Sequence, residues 1–244
     1  MPESSSGRPR RVVPNAGDRV WTQVSVDASC SVRSWPHVER YQNTTLRYTP
    51  GPDFPPAMEA YLGKPQIIRL FVTLDEVWDY RTDTYDWNYL IGVNKFEGDS
   101  EHYHFHYDWP LTVPSPLGVH EEDYLRSHAE CAESVMLNIR RYEREVAVEH
   151  VISYEKYEEV VERVIEHYKE LCPNIRYIEL MNEVDIPNFG ELTVDEFYPL
   201  FQCGYRAIRR LNERHDYAIP MLTGTMGLTA GVKNWGFWSD FLKR

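Results

Sequence analysis

The fold is decided by SYEKYEEVVERVIEHYKELCPNIRYIELMNE, residues 153–183. Tyr157, Val160, Val161, Val164, Ile165, Tyr168 and Leu171 recur at three- and four-residue spacing, which marks the apolar face of an amphipathic helix. Ser153 is placed to cap its start, and Cys172-Pro173-Asn174 stops it. Ile175 to Met181 then reads as a short strand. After a loop, Thr193-Val-Asp-Glu196 has the spacing of a capping box. It predicts a second helix with Phe197, Phe201, Tyr205, Ile208 and Leu211 on one face, and Pro199 is expected to weaken or bend its first turns.

Working outward, the same alternation continues. Val20–Asp27 reads as a first strand, and Gln66–Thr73 as a second with Ile67, Ile68, Leu70, Phe71 and Val72 nearly continuous. Glu121–Ala132 reads as a helix, Ser134–Arg140 as a third strand, Ala218–Thr223 as a fifth, and the region Trp235–Lys243 as a last helix. Strands alternating with helices imply an α/β fold, a parallel sheet covered on its faces. A complete eight-unit barrel takes roughly 250 residues. The expectation is a TIM-type (β/α) barrel represented by its first five β-α units over 18–244, with a long aromatic and His-rich insertion after strand two at about 74–119. Residues 1–17 are expected to form a disordered tail.

Composition narrows the function. Asp+Glu number 38 against 26 Lys+Arg, a formal net charge of −12, which argues against nucleic acid and anionic membranes as partners. Hydrophobic residues at 42% and aromatics at 14% are too many for a disordered chain. No apolar run approaches the roughly 20 residues that span a bilayer, and the first residues do not read as a secretory signal. Cys30, Cys131, Cys172 and Cys203 show no C-x-x-C spacing, which implies reduced thiols and a cytoplasmic setting. Cys131 and Cys203 fall in predicted helices as packing residues rather than nucleophiles. Gly224-Thr-Met-Gly227 lacks the lysine and spacing of a phosphate-cradling loop.

Two stretches carry chemistry. Strand alternation puts Tyr177, Glu179, Met181 and Glu183 on one side of the strand, with Ile178 and Leu180 on the other. Two carboxylates on one inward face are costly unless hydrogen-bonded or used. The alternatives are an acid–base site or a structural ion-pair network with a solvated loop carboxylate. The second stretch is Glu101-His-Tyr-His-Phe-His-Tyr-Asp-Trp109. Extended, it puts His102, His104, His106 and Asp108 on one face and Tyr103, Phe105, Tyr107 and Trp109 on the other. Three readings stand: a metal site on the imidazoles, a hairpin packed by its aromatic face, or a platform on which Trp109 and its neighbours stack sugar rings. Trp78, Tyr80, Tyr85, Trp87 and Tyr89 raise the local aromatic density, with core packing as their plain alternative. Tyr142-Glu-Arg-Glu-Val146 reads as a solvated loop, and Arg140, at the end of strand three, lies within reach of a bound sugar.

IRYIELMNEVD, the amphipathic helix after it and IPMLTGTMGL…WGFWSDFLKR together resemble glycoside hydrolase family 39, in the clan of (β/α)8 retaining glycosidases. The resemblance spans residues 18 to 244 and is carried by those from about 153 onward. It implies O-glycosyl hydrolase activity with Glu183 as general acid/base and Asn182 bonded to the sugar 2-hydroxyl. It also implies Glu179 as the family's Glu four residues before the acid/base, Arg69 as the strand-two arginine that helps build the site floor, a Gly-containing fifth strand near Gly224, and the helix around Trp238 to Leu242. A β-xyloside or related oligosaccharide is the implied substrate, with no cofactor and no metal. Met181 stands where the family usually has Trp, Val184 where Pro is common, and Phe71 where His often follows the strand-two arginine. The family's nucleophile closes strand seven, which places it beyond the end of this chain. Two other classes remain: a carbohydrate-binding or partner-completed incomplete barrel, as a homo-oligomer or with a partner chain, and a metal-dependent hydrolase using His102, His104 and His106.

Overall fold

Ile67–Thr73 (β2) is the spine of a parallel sheet, and its burial explains why. Ile68, Leu70 and Val72 are fully buried, and each such side chain contributes about 1.5–3 kcal/mol when removed from water. The computed structural model describes residues 41–43, 60, 63–91, 119–186, 189–222 and 234–244. The chain divides into Met1–Pro36 and His37–Arg244, and every described residue belongs to the second unit. The expected strand Val20–Asp27, the tail 1–17, His102, His104, His106, Trp109 and Gly224 lie outside the described residues.

Five described strands form the sheet: β1 (Tyr41–Asn43), β2, β5 (Ser134–Arg140), β6 (Ile175–Leu180) and β7 (Met221–Leu222). They lie in that order and every pairing is parallel. Each described strand therefore lies beside its predecessor in the sheet, with no reversal of direction. β1 had no signal in the sequence, because three residues are too few to display alternation. Between β2 and β5 come α1 (Leu74–Val77), a small antiparallel pair of β3 (Trp78–Asp79) and β4 (Thr84–Tyr85), and α2 (Glu121–Glu130). The insertion is pinched at its base. Ile91 N–H donates to the Val119 carbonyl at 3.0 Å, and Glu121 N–H to the Tyr89 carbonyl at 3.0 Å.

α4 (Tyr154–Leu171) starts at Ser153, whose hydroxyl accepts from the Lys156 N–H at 3.1 Å. Its expected face is the buried one: Tyr157, Val160, Val161, Val164, Ile165 and Tyr168 are all sealed. α5 (Val194–His215) carries the capping box in full and runs unbroken through Pro199. The buried face of α5 is Phe197, Leu200, Cys203, Gly204, Ala207, Ile208 and Leu211. Tyr205, expected on that face, is 52% exposed. The face runs through small residues instead, because α5 approaches β6 closely. A Cβ on Gly204 would lie 2.6 Å from Leu180 Cδ2. On the other side, α4 and α5 are laced by ion pairs. Glu158 pairs with Arg206 and Arg210, Glu162 with Arg210 and Arg214, and Glu166 with Arg214 and His215. α6 (Trp235–Phe241) packs Trp238 and Phe241 against Phe197.

Residues 142–146 correct the expected solvated loop. Glu143–Ala147 is a short helix, α3, in which Glu143, Glu145 and Val146 are buried.

Candidate functional site

The sheet has an apolar and a polar face. On the helix-covered side lie Ile68, Leu70, Val72, Val135, Leu137, Ile139, Ile178 and Leu180. The alternate positions put Arg69, Phe71 and Thr73 on β2, Asn138 and Arg140 on β5, and Glu179 on β6 toward the other face. The parallel register sets Phe71 beside Asn138, and Asn138 beside Glu179.

Arg69 organises this face. Its Nε donates to Glu179 Oε2, and its Nη2 donates to Asn182 Oδ1 at 2.8 Å. The arginine and glutamate side chains are 14% and 8% exposed, so the pair sits out of bulk water. The guanidinium also lies 4.4 Å from the centre of the Phe71 ring, and the Arg140 guanidinium lies 4.7 Å from the same ring. Phe71 thus supports both cations through its π-face.

The exit of β6 departs from simple alternation. Met181 has φ 66° and Glu183 φ 49°, both left-handed and neither glycine. Such residues cost about 1–3 kcal/mol each and gather where a site imposes them. Met181 therefore does not share the face of Glu179. It is fully buried, and Tyr157 Oη donates to its sulfur at 4.0 Å. The main chain is held by the Met181 N–H to the Ile139 carbonyl at 2.7 Å and by Asn138 Nδ2 to the Met181 carbonyl at 2.6 Å. Asn182 is buried with its amide oxygen on Arg69.

Glu183 is half-buried at the start of the following turn. Burial raises its pKa above the usual carboxylate value, the negative charge of Asp185 adds to the rise, and Arg69 opposes it. That direction suits a proton donor. The turn is closed by the Ile186 N–H on the Glu183 carbonyl at 3.1 Å and by the Leu192 N–H on the Val184 carbonyl at 2.8 Å.

A second charged cluster lies at the ends of β2 and β5. Asp75 carries a pKa raised to about 6, chiefly by burial and further by Glu76 and Glu143, against the pull of Arg141 and Arg140. Its Oδ1 is sealed from solvent without a hydrogen-bond partner. Arg141 and Tyr142 are consecutive left-handed residues at φ 84° and 65°, fixed by the Arg141 N–H to Glu143 Oε1 at 3.1 Å and by Tyr142 Oη to the Trp78 carbonyl at 2.8 Å. Sequence reading missed Asp75 and Glu143, because acidic residues opening helices are ordinary.

Of the expected site residues, Arg69, Glu179 and Asn182 meet directly, with Glu183 beside them and Arg140 across Phe71. Trp109 and the histidines lie outside the described residues. The described aromatics of the insertion serve packing. Tyr85 stacks on Trp87 and Trp87 on His167, at 4.7 and 4.2 Å between ring centres, while Trp78 and Tyr89 are sealed in the core. Cys131, Cys172 and Cys203 are buried free thiols, with Cys131 just past α2 rather than inside it. Among the described residues no group of three or more His, Cys, Asp or Glu side chains could hold a metal ion, and no helix is long and apolar enough to cross a membrane. No known family model and no curated protein matches the chain.

Proposed function

We propose that the chain carries β-α units of a TIM-type (β/α) barrel belonging to a retaining O-glycosidase of the family 39 kind, with Glu183 as general acid/base. The observation that carries this reading is the Arg69–Glu179–Asn182 network next to Glu183, where a parallel strand ends. Ligands of (β/α) barrels bind at that end of the strands. The sequential, all-parallel strand order is the order a singly wound barrel requires. In the first step Glu183 gives its proton to the leaving oxygen as the C1–O bond breaks, and a carboxylate nucleophile bonds to C1. In the second step Glu183, now a carboxylate, takes a proton from the water that attacks C1 and releases the nucleophile. Asn182, its amide oxygen held by Arg69, presents its NH2 to the sugar 2-hydroxyl. Arg140 borders the same face. The substrate class is a β-xyloside or a related oligosaccharide. The buried free thiols are in keeping with a cytoplasmic setting.

Glu183→Gln in the intact protein is the test. The expected result is slow deglycosylation of an aryl β-glycoside, with turnover restored by azide as the glycosyl azide. Unchanged turnover of aryl and alkyl glycosides alike would refute the assignment.

A further inference from the structure

The turn after β6 holds two carboxylates, and the second is the better anchored. Asp185 is 9% exposed. Asn234, immediately before α6, donates from Nδ2 to both the Asp185 main-chain carbonyl at 2.8 Å and its Oδ2 at 3.1 Å. The bond from Ile186 N–H to the Glu183 carbonyl puts Glu183 and Asp185 in one turn. The left-handed backbone at Glu183 fixes the direction in which that turn leaves the strand.

A carboxylate buried two residues from another is a cost, since like charges in a low-dielectric setting repel. The fold nevertheless spends an amide from a separate helix to hold it there. Among the described residues, the charged groups acting on Glu183 are Asp185 from its own turn and Arg69 from β2. α6 contributes the neutral Asn234, and β6 contributes Glu179, which is engaged by Arg69. Arg69 is paired with Glu179, whose opposite charge offsets its field at Glu183.

Resting on the glycosidase reading, we propose that Asp185 is a positioning residue for Glu183. Clamped by Asn234, it is a fixed negative charge against which Glu183 retains the proton it hands to the leaving oxygen. It does not touch the substrate. The docking of α6 is thereby coupled to the protonation of the acid/base.

The test is a pH titration of this chain labelled with carboxyl-13C glutamate, with the Glu183 resonance identified by its loss in Glu183→Gln. In Asp185→Asn the Glu183 midpoint is expected to fall by about one pH unit. An unchanged midpoint in a variant with the wild-type amide spectrum overturns the proposal. If Asp185→Asn loses that spectrum, Asn234→Ala takes its place, since it keeps the charge but releases it. There a lowered Glu183 midpoint supports the proposal, and an unmoved one overturns it. Turnover enters none of these outcomes. Failure of the glycosidase reading shows separately, as missing azide rescue in Glu183→Gln.

Discussion

Arg69 and Asn182 lie 113 residues apart in the chain, and Arg69 Nη2 meets Asn182 Oδ1 at 2.8 Å. The same guanidinium is paired with Glu179, so one side chain fixes both polar groups of β6 and its exit. Orientation of Asn182 is therefore a property of β2 as much as of β6.

Removing that guanidinium takes its cation away from the buried Glu179 carboxylate. Arg69→Ala is expected to cost about 3–5 kcal/mol of unfolding free energy, measured by urea denaturation. The double variant Arg69→Ala, Glu179→Ala should lose less than the sum of the single variants, because the second change removes the buried charge that Arg69 balanced. Strict additivity would show that the pair is not coupled.

In the proposed function Asn182 hydrogen-bonds the sugar 2-hydroxyl. In the intact protein, Asn182→Ala is expected to lower kcat/KM on an aryl β-glycoside by about 100-fold, the size of an interaction that strengthens in the transition state. On the 2-deoxy substrate the variant and wild type should differ little. Equal losses on both substrates would refute a role at that hydroxyl.

Asp75 makes stability depend on pH. Its folded pKa, about 6, lies above the ordinary 3.8, so between those values the folded state binds more protons than the unfolded one. Stability at this site is greatest at low pH and declines as pH rises from about 4 to 6, by about 3 kcal/mol as an order of magnitude. Asp75→Asn should remove this slope and stabilise the protein at pH 7 to 8. Urea midpoints recorded from pH 4 to 8 decide the matter, and a slope retained in the variant would refute it.

The ion pairs between α4 and α5 set a different dependence. Hydrogen bonding to His215 and Arg214 holds the Glu166 pKa below its ordinary value, against a smaller opposing effect of burial. Its contribution is present above the unfolded-state pKa and is lost as pH falls through the depressed folded value. The arginines are 42–50% exposed, so each pair is worth about 1 kcal/mol or less and is screened by salt. Glu162→Gln should lower Tm by a few degrees at low salt, with the difference shrinking in about 1 M NaCl. A salt-independent difference would point to packing instead.

The long helices α4 and α5 were legible in the sequence because their signals are local. Ser153 and the Thr193–Glu196 box mark the starts of α4 and α5 within a single turn, and the Tyr157-to-Tyr168 face follows from 3.6-residue periodicity alone. β5 was legible to the residue, Ser134–Arg140, as an apolar run between breaks. Tyr205 was misplaced because a face drawn from large side chains ignores a close approach that only Gly204 permits. Met181 was misplaced because strand alternation assumes an extended backbone, and φ 66° turns the side chain away.

By itself the sequence determined the buried faces and the starts of α4 and α5 and the bounds of β5, since caps and periodicities act within a few residues. It also placed Asn182 and Glu183 at a strand's end. Only the tertiary structure decided which groups surround them. Register between β2, β5 and β6 brings Arg69 to Glu179 across 110 residues of chain. Burial is the chief cause that raises Asp75 and Glu183, and folding brings Glu143 and Arg141 to Asp75 and Arg69 to Glu183. Solvent exclusion and distance in space set those energies, and neither is a property of neighbouring residues in the chain.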